Sequence, residues 1–303
     1  GRGADIYAQC RVSLLQIGKP AVQPLIDAHE HKNAALEADA KKYEFRPGVI
    51  EQKTSLMLGD LRAKEAIPVM QAELKKPTKG DNHLGALIAL GMIADPSTTK
   101  DLTGVLTDAK RDFKVRISAA EALNLAGDPT ALPTLLQVAK TGDVVKDKQK
   151  YPDVRLAAAM SYARLGGAAE AAAFAPVAAA EKAAPEEFKE DASRLEVAKK
   201  CGKDATCYAT VLATDASLPH QEKAAFMLSR MGKAGMPGLV KKLSTREPIV
   251  RQAVLFGIGK IGDKSSTDAL KALDAQIDVD RTKPPMRALV EEMRAVRAMI
   301  SNH

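Results

Sequence analysis

Closely spaced glycines near the end of the chain are the first residues whose spacing suggests chemistry. Gly257, Gly259 and Gly262 have the spacing of a dinucleotide-binding fingerprint, and Asp278 and Asp280 lie near the distance expected for a ribose-binding acid. That fingerprint requires a preceding strand within a βαβ unit. The residues before it have a helical pattern instead, and too few residues follow to build a sheet. We therefore interpret the glycines as a helix end and predict no cofactor.

Histidines are the second group that could do chemistry, here as metal ligands. His29, Glu30 and His31 are adjacent, but residues two apart on a helix point to different sides, and the spacing of a zinc protease is absent. His83, His220 and His303 are scattered along the chain. We predict no metal site.

No sequence pattern typical of nucleophilic catalysis is present. The chain contains no Gly-x-Ser-x-Gly elbow, no phosphate-binding loop and no Cys-x-x-Cys pair. We therefore predict no catalytic residues and a protein that is not an enzyme.

Composition narrows the classes of fold and partner. The chain has 303 residues with 46% hydrophobic and 27% charged residues, which is enough for a buried core in one large domain or two ordinary ones. It has no Trp and only 4% aromatic residues, which disfavours β-sheet folds and base-stacking surfaces. The net charge is +7 without a long block of like charges, so nucleic acid is an unlikely partner, and no membrane span is expected.

A recurring sequence pattern divides the chain into predicted helical hairpins. In its clearest copy, Arg116 opens an Ala/Leu helix that ends at Gly127 and Asp128, and a second helix follows. Arg155 precedes Gly166, and Arg251 precedes Gly262, by the same eleven residues. Turn residues identify about eight such hairpins, namely Gly18, Gly59, Asp95, Gly127, Gly166, Gly202, Gly232 and Gly262. A single hairpin cannot bury its apolar face, so neighbouring hairpins must stack.

This pattern resembles HEAT repeats, especially the short type found in phycobilisome-lyase-like proteins. Prolines near the start of the second helix match as well, namely Pro20, Pro68, Pro133 and Pro237. The resemblance covers nearly the whole chain. It implies an all-α fold, an α-α superhelix in which residues 1–303 form a single HEAT-like solenoid. It also implies that Arg116, Arg155 and Arg251 are structural and bond between neighbouring repeats.

Some HEAT-like families are enzymes, and their site residues are not matched here. Deoxyhypusine hydroxylase holds its di-iron site with several His-Glu pairs, and this chain has a single such pair, His29 and Glu30. HEAT-like DNA glycosylases use aromatic residues, notably Trp, which this chain lacks. We find no motif specific to bilin handling by phycobilisome lyases.

The C-terminal segment, residues 281–303, is predicted to be a capping helix. Its apolar residues share one face, namely Met286, Leu289, Val290, Met293, Val296 and Ile300. A solenoid cap needs one face for the last hairpin and one for water. A helix that binds a partner is the alternative interpretation.

Two of the three cysteines flank a predicted turn. Cys201 ends the first helix of the sixth hairpin, and Cys207 lies near the start of the second. This placement allows a disulfide, which favours an oxidising compartment, the cell envelope, periplasm or exterior, over the cytoplasm. Two reduced thiols are the alternative. Cys10 is then unpaired, and we expect it to be buried in the first repeat.

Basic residues recur two positions before successive turn glycines. Arg164, Lys200, Arg230 and Lys260 occupy this position, and stacked helices lie ~8–10 Å apart, so these residues should form a basic ridge about 30 Å long. One interpretation is that each cation complements the helix dipole. The other is a strip that binds an acidic protein segment.

Together these features predict a non-enzymatic scaffold that binds another protein on the curved surface of a solenoid. A phycobilisome-lyase-type enzyme or enzyme subunit is one alternative, and a HEAT-type nucleic-acid-binding protein is another. An irregular joint at Arg46, Pro47 and Gly48 is assigned no role.

Overall fold

The structure is a computed structural model that describes residues 2–78, 82–141, 153–277, 292–298 and 300. Within these residues all regular structure is helical, and no strand occurs. The helices are α1 (Arg2–Ile17), α2 (Val22–His29), α3 (Ala34–Lys42), α4 (Val49–Asp60), α5 (Ile67–Glu73), α6 (Asn82–Ile93), α7 (Thr99–Thr107), α8 (Phe113–Ala126), α9 (Leu132–Thr141), α10 (Val154–Leu165), α11 (Ala168–Ala180), α12 (Pro185–Cys201), α13 (Ala205–Thr214), α14 (Leu218–Arg230), α15 (Met236–Lys241), α16 (Pro248–Ile261) and α17 (Thr267–Ile277).

A shared turn joins the two helices of three hairpins. An aspartate follows the first helix, and its side chain accepts a hydrogen bond from the backbone N–H two residues later. Asp95, Asp128 and Asp263 do so at 3.1, 2.9 and 2.9 Å and each begins a 3-10 turn that leads into the second helix. Local hydrogen bonding therefore explains why Gly-Asp recurs in the sequence.

At five of the eight predicted turns, the glycine that the sequence places at the end of the first helix is the residue with positive φ. Gly18, Gly127, Gly202, Gly232 and Gly262 all have positive φ. Glycine is favoured at such positions because it has no Cβ to clash.

The predicted role of Gly59 is wrong. Gly59 lies inside α4, and the left-handed residue of this turn is Arg62, with φ 50°. A Cβ built on Gly59 would lie 2.9 Å from the Cα of Ala89, so the glycine permits close approach of α4 and α6. At the next turn the left-handed residue is Ala94, one position before Asp95. Gly166 does not have positive φ.

The chain forms two compact units, whose boundaries fall inside the first and fifth predicted hairpins. The central unit is residues 17–165, and the terminal unit is residues 1–16 with 166–303. That all 303 residues form a single solenoid stays a prediction.

The central unit is a solenoid of stacked hairpins. Its first helices α4, α6, α8 and α10 contact one another in chain order, and the second helices α2, α5, α7 and α9 each contact the first helix that follows. The core between these helices is aliphatic, and Leu58, Leu87, Leu90 and Leu123 are completely buried. Helix α3 is an additional helix that the repeat pattern does not predict.

The terminal unit is built in the same way. Helices α12, α14 and α16 contact one another in order, and α13 contacts both α14 and α15. Phe174 and Phe188 stack where α11 meets α12, with ring centroids 5.8 Å apart. The fold is therefore all-α, with solenoid stacking in each unit.

The described part of the predicted capping helix, residues 292–298 and 300, is helical. Met293, Val296 and Ile300 join the core of the terminal unit, as the sequence predicts. Ala295 and Ala298 are buried as well, and the Arg11 Nη1 of α1 lies 2.7 Å from Glu292 Oε2. This helix is therefore more enclosed than a cap with one face in water. Met286, Leu289 and Val290 lie outside the described residues.

Candidate functional site: buried polar clusters and an exposed insertion

The glycine fingerprint is part of a helix, as the sequence analysis expects. Gly257 and Gly259 are buried in α16, and Gly262 ends that helix with φ 67°. A Cβ built on Gly257 would lie 3.0 Å from Leu239 and 3.1 Å from Ser229, so this glycine serves helix packing. Asp278 and Asp280 lie outside the described residues.

A buried polar cluster in the central unit is centred on His29. The imidazole Nδ1 is 3.0 Å from Thr54 Oγ1, whose own proton is donated to the carbonyl of Ile50 at 2.8 Å. Nδ1 is therefore the donor to Thr54. The opposite nitrogen, Nε2, faces the Glu73 carboxylate at 3.6 Å. His29 and Glu73 are 0% and 1% exposed.

Glu73 is held ionised by its partners. Lys76 donates to its Oε2 at 2.8 Å, and the side-chain amide of Asn82 donates to its Oε1. Burial by itself raises the pKa of Glu73, but these hydrogen bonds and the neighbouring His29 outweigh burial and lower the pKa to about 2. The cluster thereby links α2, α4, α5 and α6.

His83 continues this cluster as a neutral side chain. Its Nε2 is 3.0 Å from the carbonyl of Lys76 and must donate to it, while Nδ1 lies 3.0 Å from the Thr78 hydroxyl and 3.2 Å from Arg111 Nη1. Burial, and then the Arg111 charge, lower the pKa of His83. A neutral imidazole fits this arrangement because Nδ1 must accept.

A second buried cluster, in the terminal unit, is centred on Arg194. Its guanidinium lies 2.9 Å from Asp191 and 3.1 Å from Glu222, and these three side chains are nearly fully buried. The guanidinium also lies 2.8 Å from the more exposed Glu190. The ion pair with Glu222 joins α12 to α14. Such buried networks tolerate no missing member, because an unpaired charge is costly to bury.

Lys223 is a completely buried amine in the same unit. Its Nζ donates to the backbone carbonyl of Gly166. Burial, and then the nearby Arg230 charge, lower its pKa well below the usual value. A buried amine that donates to a backbone carbonyl is a structural arrangement.

The cysteine pair is close enough to be bonded. The Cα atoms of Cys201 and Cys207 are 5.4 Å apart, and the structure joins the two sulfurs in a disulfide. Cys10 is not in a disulfide, but it is exposed, so its predicted burial is wrong. It lies on a surface position of α1.

An exposed insertion is the feature that the sequence analysis missed. Helix α3 contains no buried residue, and the segment after it exposes 61% of Tyr43 and 43% of Phe45. Its C-terminal turn has Glu44, with φ 50°, at the left-handed position where a glycine would have marked the helix end in the sequence. The clustering of two of the eleven aromatic residues at the irregular joint was the available signal.

Residues 67–149 match the family model of HEAT repeats. This part of the chain consists of HEAT repeats. Repeats outside the matched residues have the same construction, as the left-handed Gly262 and the Asp263 cap show. The comparison with curated proteins finds no matching relative. The narrower resemblance, to the phycobilisome-lyase type, stays a prediction.

Solved structures similar to this chain include two named for enzymes and an engineered protein. Human deoxyhypusine hydroxylase in complex with glycerol is 18% identical, with 97% of this chain and 98% of that chain covered and a TM-score of 0.36. The CpcE and CpcF complex of phycocyanin lyase from Nostoc is 19% identical over 82% and 89%, with a TM-score of 0.34. An engineered protein is 15% identical over 96% and 84%, with a TM-score of 0.37. At these low values the likenesses carry no argument about activity.

The arginines that the HEAT resemblance makes structural occupy the first turns of their helices. Arg116 is 5% exposed, and its Nε donates to the carbonyl of Leu106 in the preceding repeat at 3.0 Å. Gln221 makes the corresponding contact from α14, donating to the carbonyl of Asp215 at 2.6 Å. Arg155 and Arg251 are half-buried.

The four residues of the basic ridge differ in exposure. Lys200 is exposed, and Lys260 is half-buried with its Nζ 5.8 Å from the Phe256 ring centroid. Arg230 is half-buried, its Nη2 has almost no exposed surface, and burial lowers its pKa to about 10. Arg164 is half-buried in the central unit. The ridge stays a prediction, with Lys200 and Lys260 as its most accessible members.

Among the described residues, no group of three or more His, Cys, Asp or Glu side chains could hold a metal ion. None of the described helices is long and apolar enough to cross a bilayer.

Proposed function

We propose that this chain is a non-enzymatic scaffold that binds another protein through the surface of its HEAT repeats. Stacked hairpins of this kind present extended surfaces, on which contacts to a partner are distributed over several repeats. The HEAT repeats support a repeat scaffold, and the absence of catalysis is part of the proposal.

One observation carries the proposal. Three buried side chains that could do chemistry are engaged with one another or with backbone carbonyls: His29 with Thr54 and Glu73, Arg194 with Glu222, and Lys223 with Gly166. Catalytic groups must reach a substrate, whereas buried and mutually bonded groups hold helices together. Recognition then falls to the exposed side chains.

Within this proposal, the accessible ridge residues attract an acidic segment of the partner. Lys200 and Lys260 lie near the ends of α12 and α16, so they carry positive charge on the terminal unit. Electrostatic attraction of this kind raises association rates and weakens with salt.

The test is quantitative binding to a protein that copurifies with the full chain. The double variant Lys200→Glu and Lys260→Glu should slow association by about tenfold at low salt, with a smaller effect at high salt. The matched control, Lys75→Glu with Lys100→Glu, changes two exposed lysines of the central unit and should leave the association rate within about twofold.

Two outcomes would overturn the proposal. Binding to duplex DNA, with a log–log salt slope equivalent to several phosphates, would favour the nucleic-acid alternative. Covalent transfer or isomerisation of a bilin by the purified chain, alone or with a partner subunit, would favour the lyase alternative.

A further inference from the structure

The segment from α3 to α4 exposes aromatic side chains in a chain that otherwise has few. Four large hydrophobic residues are exposed among those whose side chains the structure describes, and two of them, Tyr43 and Phe45, are nearly adjacent. The other two, Ile17 and Ile249, are distant from each other in sequence. Clustered exposed apolar residues, unlike single ones, indicate a binding surface.

Helix α3 is held in place by polar contacts at its start. The Asn33 side chain caps it by accepting from the N–H of Leu36 at 3.1 Å. His31 lies between two carboxylates, 2.8 Å from Glu37 on α3 and 3.1 Å from Glu51 on α4. A helix of nine residues is too short to be stable alone, so these contacts matter for its order.

The aromatic residues follow an ordered helix end. Glu44, which lies between Tyr43 and Phe45, has the left-handed conformation. The N–H of Phe45 donates to the carbonyl of Ala40 at 2.9 Å. This is the hydrogen bond of a Schellman motif. The backbone that carries Tyr43 and Phe45 is therefore organised before any partner binds, which reduces the entropy lost on binding.

Positive charge surrounds the two aromatic residues. Lys41, Lys42 and Arg46 are exposed, and Glu44 is the single acidic residue among residues 41–46. The Nζ of Lys42 lies 4.9 Å from the Tyr43 ring centroid, so cation and ring share one surface. A ligand for this surface needs an apolar group with carboxylates beside it.

We propose that the insertion patch, comprising Lys41, Lys42, Tyr43, Phe45 and Arg46, is the docking surface for an acidic segment of a partner protein that carries an apolar side chain between its carboxylates. This inference rests on the proposed scaffold function and names a site for it. The partner's apolar side chain packs on the two rings, and its carboxylates pair with the three cations. A protein segment fits better than an anionic membrane, because a segment can place its carboxylates beside the cations only, whereas a uniformly negative surface would also face the exposed Asp39 of α3.

The test uses the full chain and defined peptide probes. Fluorescence anisotropy measures binding of a labelled peptide in which glutamates flank a tryptophan and a leucine. A second peptide replaces both apolar residues by serine, and a third replaces the glutamates by lysines. Tyr43→Ser with Phe45→Ser removes the apolar part of the patch, and Lys41→Glu with Lys42→Glu reverses its charge. The matched control is Ile249→Ser, which removes an exposed apolar residue of the terminal unit.

The expected result is binding of the first peptide and at least about tenfold weaker binding of either altered peptide. Each patch variant should weaken binding of the first peptide by at least about tenfold, and Ile249→Ser should change it by less than about twofold. All changed residues are exposed, so circular dichroism should show unchanged helix content.

Several results would overturn the inference. One is that the first peptide binds equally to wild type and to the Tyr43→Ser with Phe45→Ser variant, and another is that the serine peptide binds as tightly as the first peptide. Concentration-dependent dimers of the chain that are lost on Tyr43→Ser, or preferential binding to phosphatidylserine vesicles, would also overturn it. If a copurifying protein binds wild type and both patch variants equally, the patch is refuted while the scaffold function stands. If the chain binds only DNA or a bilin, the scaffold function itself is wrong.

Discussion

Arg116 donates from its buried Nε to the backbone carbonyl of Leu106, 3.0 Å away, across the junction of two consecutive repeats. The carbonyl belongs to the last turn of α7, where helical partners run out, so the arginine satisfies a group that would otherwise be unpaired. The repeats are thereby joined by a hydrogen bond as well as by apolar contact.

Replacing Arg116 by Met should destabilise the protein. The variant keeps most of the apolar stem but leaves the Leu106 carbonyl without its donor, at an expected cost of roughly 1–3 kcal/mol. Urea unfolding followed by circular dichroism measures the change. Lys100→Met, at an exposed position, is the control and should alter the free energy of unfolding by less than about 0.5 kcal/mol. Equal effects of the two variants would contradict the role of Arg116.

Exchanging alanine and glycine at two equivalent left-handed turn positions should change the stability in opposite directions. Ala94 has φ 57°, so Ala94→Gly should stabilise the protein by up to about 1 kcal/mol. Gly127 has φ 76°, so Gly127→Ala should destabilise it by about 1 kcal/mol. Thermal unfolding of both variants tests this. A lower midpoint for Ala94→Gly would show that the lost methyl contacts outweigh the relieved backbone.

Stability should depend on Glu73 at acid pH. The pKa of Glu73 is about 2 in the folded protein, below its ordinary value of 4.5. Its contribution is therefore complete above pH 4.5 and is lost as the pH falls toward 2. Between about pH 5 and pH 3 the wild type should lose about 2 kcal/mol more than Glu73→Gln. Urea unfolding at both pH values measures this difference, and parallel pH profiles would refute it.

The order of α3 should decrease as pH rises. Burial alone would lower the pKa of His31, but hydrogen bonds to Glu37 and Glu51 and their charges raise it above 6.5. The ion pairs are thus present at low pH and are lost as the pH rises through the raised pKa. Amide hydrogen exchange in α3, corrected for intrinsic rates, should become faster over this range. His31→Gln should remove the pH dependence, and a wild-type profile unchanged by this substitution would exclude the effect.

Thiol titration tests the cysteine pair and the proposed oxidising compartment. The protein unfolded without reductant should show one free thiol, Cys10, and three after reduction. Cys10 should also react in the folded protein, because it is exposed. Cys207→Ser should lower the stability of the oxidised protein by roughly 2 kcal/mol. Three free thiols before reduction would remove the argument for the cell envelope or exterior.

Local sequence signals predicted the hairpins well where the chemistry was local. Gly127 and Gly262 are left-handed helix ends, and Asp128 and Asp263 cap the turns that follow, because these preferences act within a few residues. The predicted turn at Gly59 was wrong, and α3 was not predicted, because in both places the left-handed residue is not a glycine. Arg62 and Glu44 occupy left-handed positions that intrinsic preference reserves for glycine.

Burial of polar groups could not be predicted in this way. His29 and Glu73 are separated by more than forty residues in sequence, and Arg194 and Glu222 by 28, yet each pair is enclosed in one core. No local pattern distinguishes these side chains from solvated ones. The same holds for Arg230, which has the ridge spacing but whose Nη2 is enclosed.

The amino-acid sequence alone determined the repeat, its all-α class and the positions of most turns, since helix periodicity, glycine conformation and aspartate capping are properties of short segments. Only the tertiary structure decided which charged residues are buried together and that Tyr43 and Phe45 remain exposed. The physical reason is that solvent exposure and charge pairing depend on which distant helices are brought together, and a repeat pattern does not specify those neighbours residue by residue.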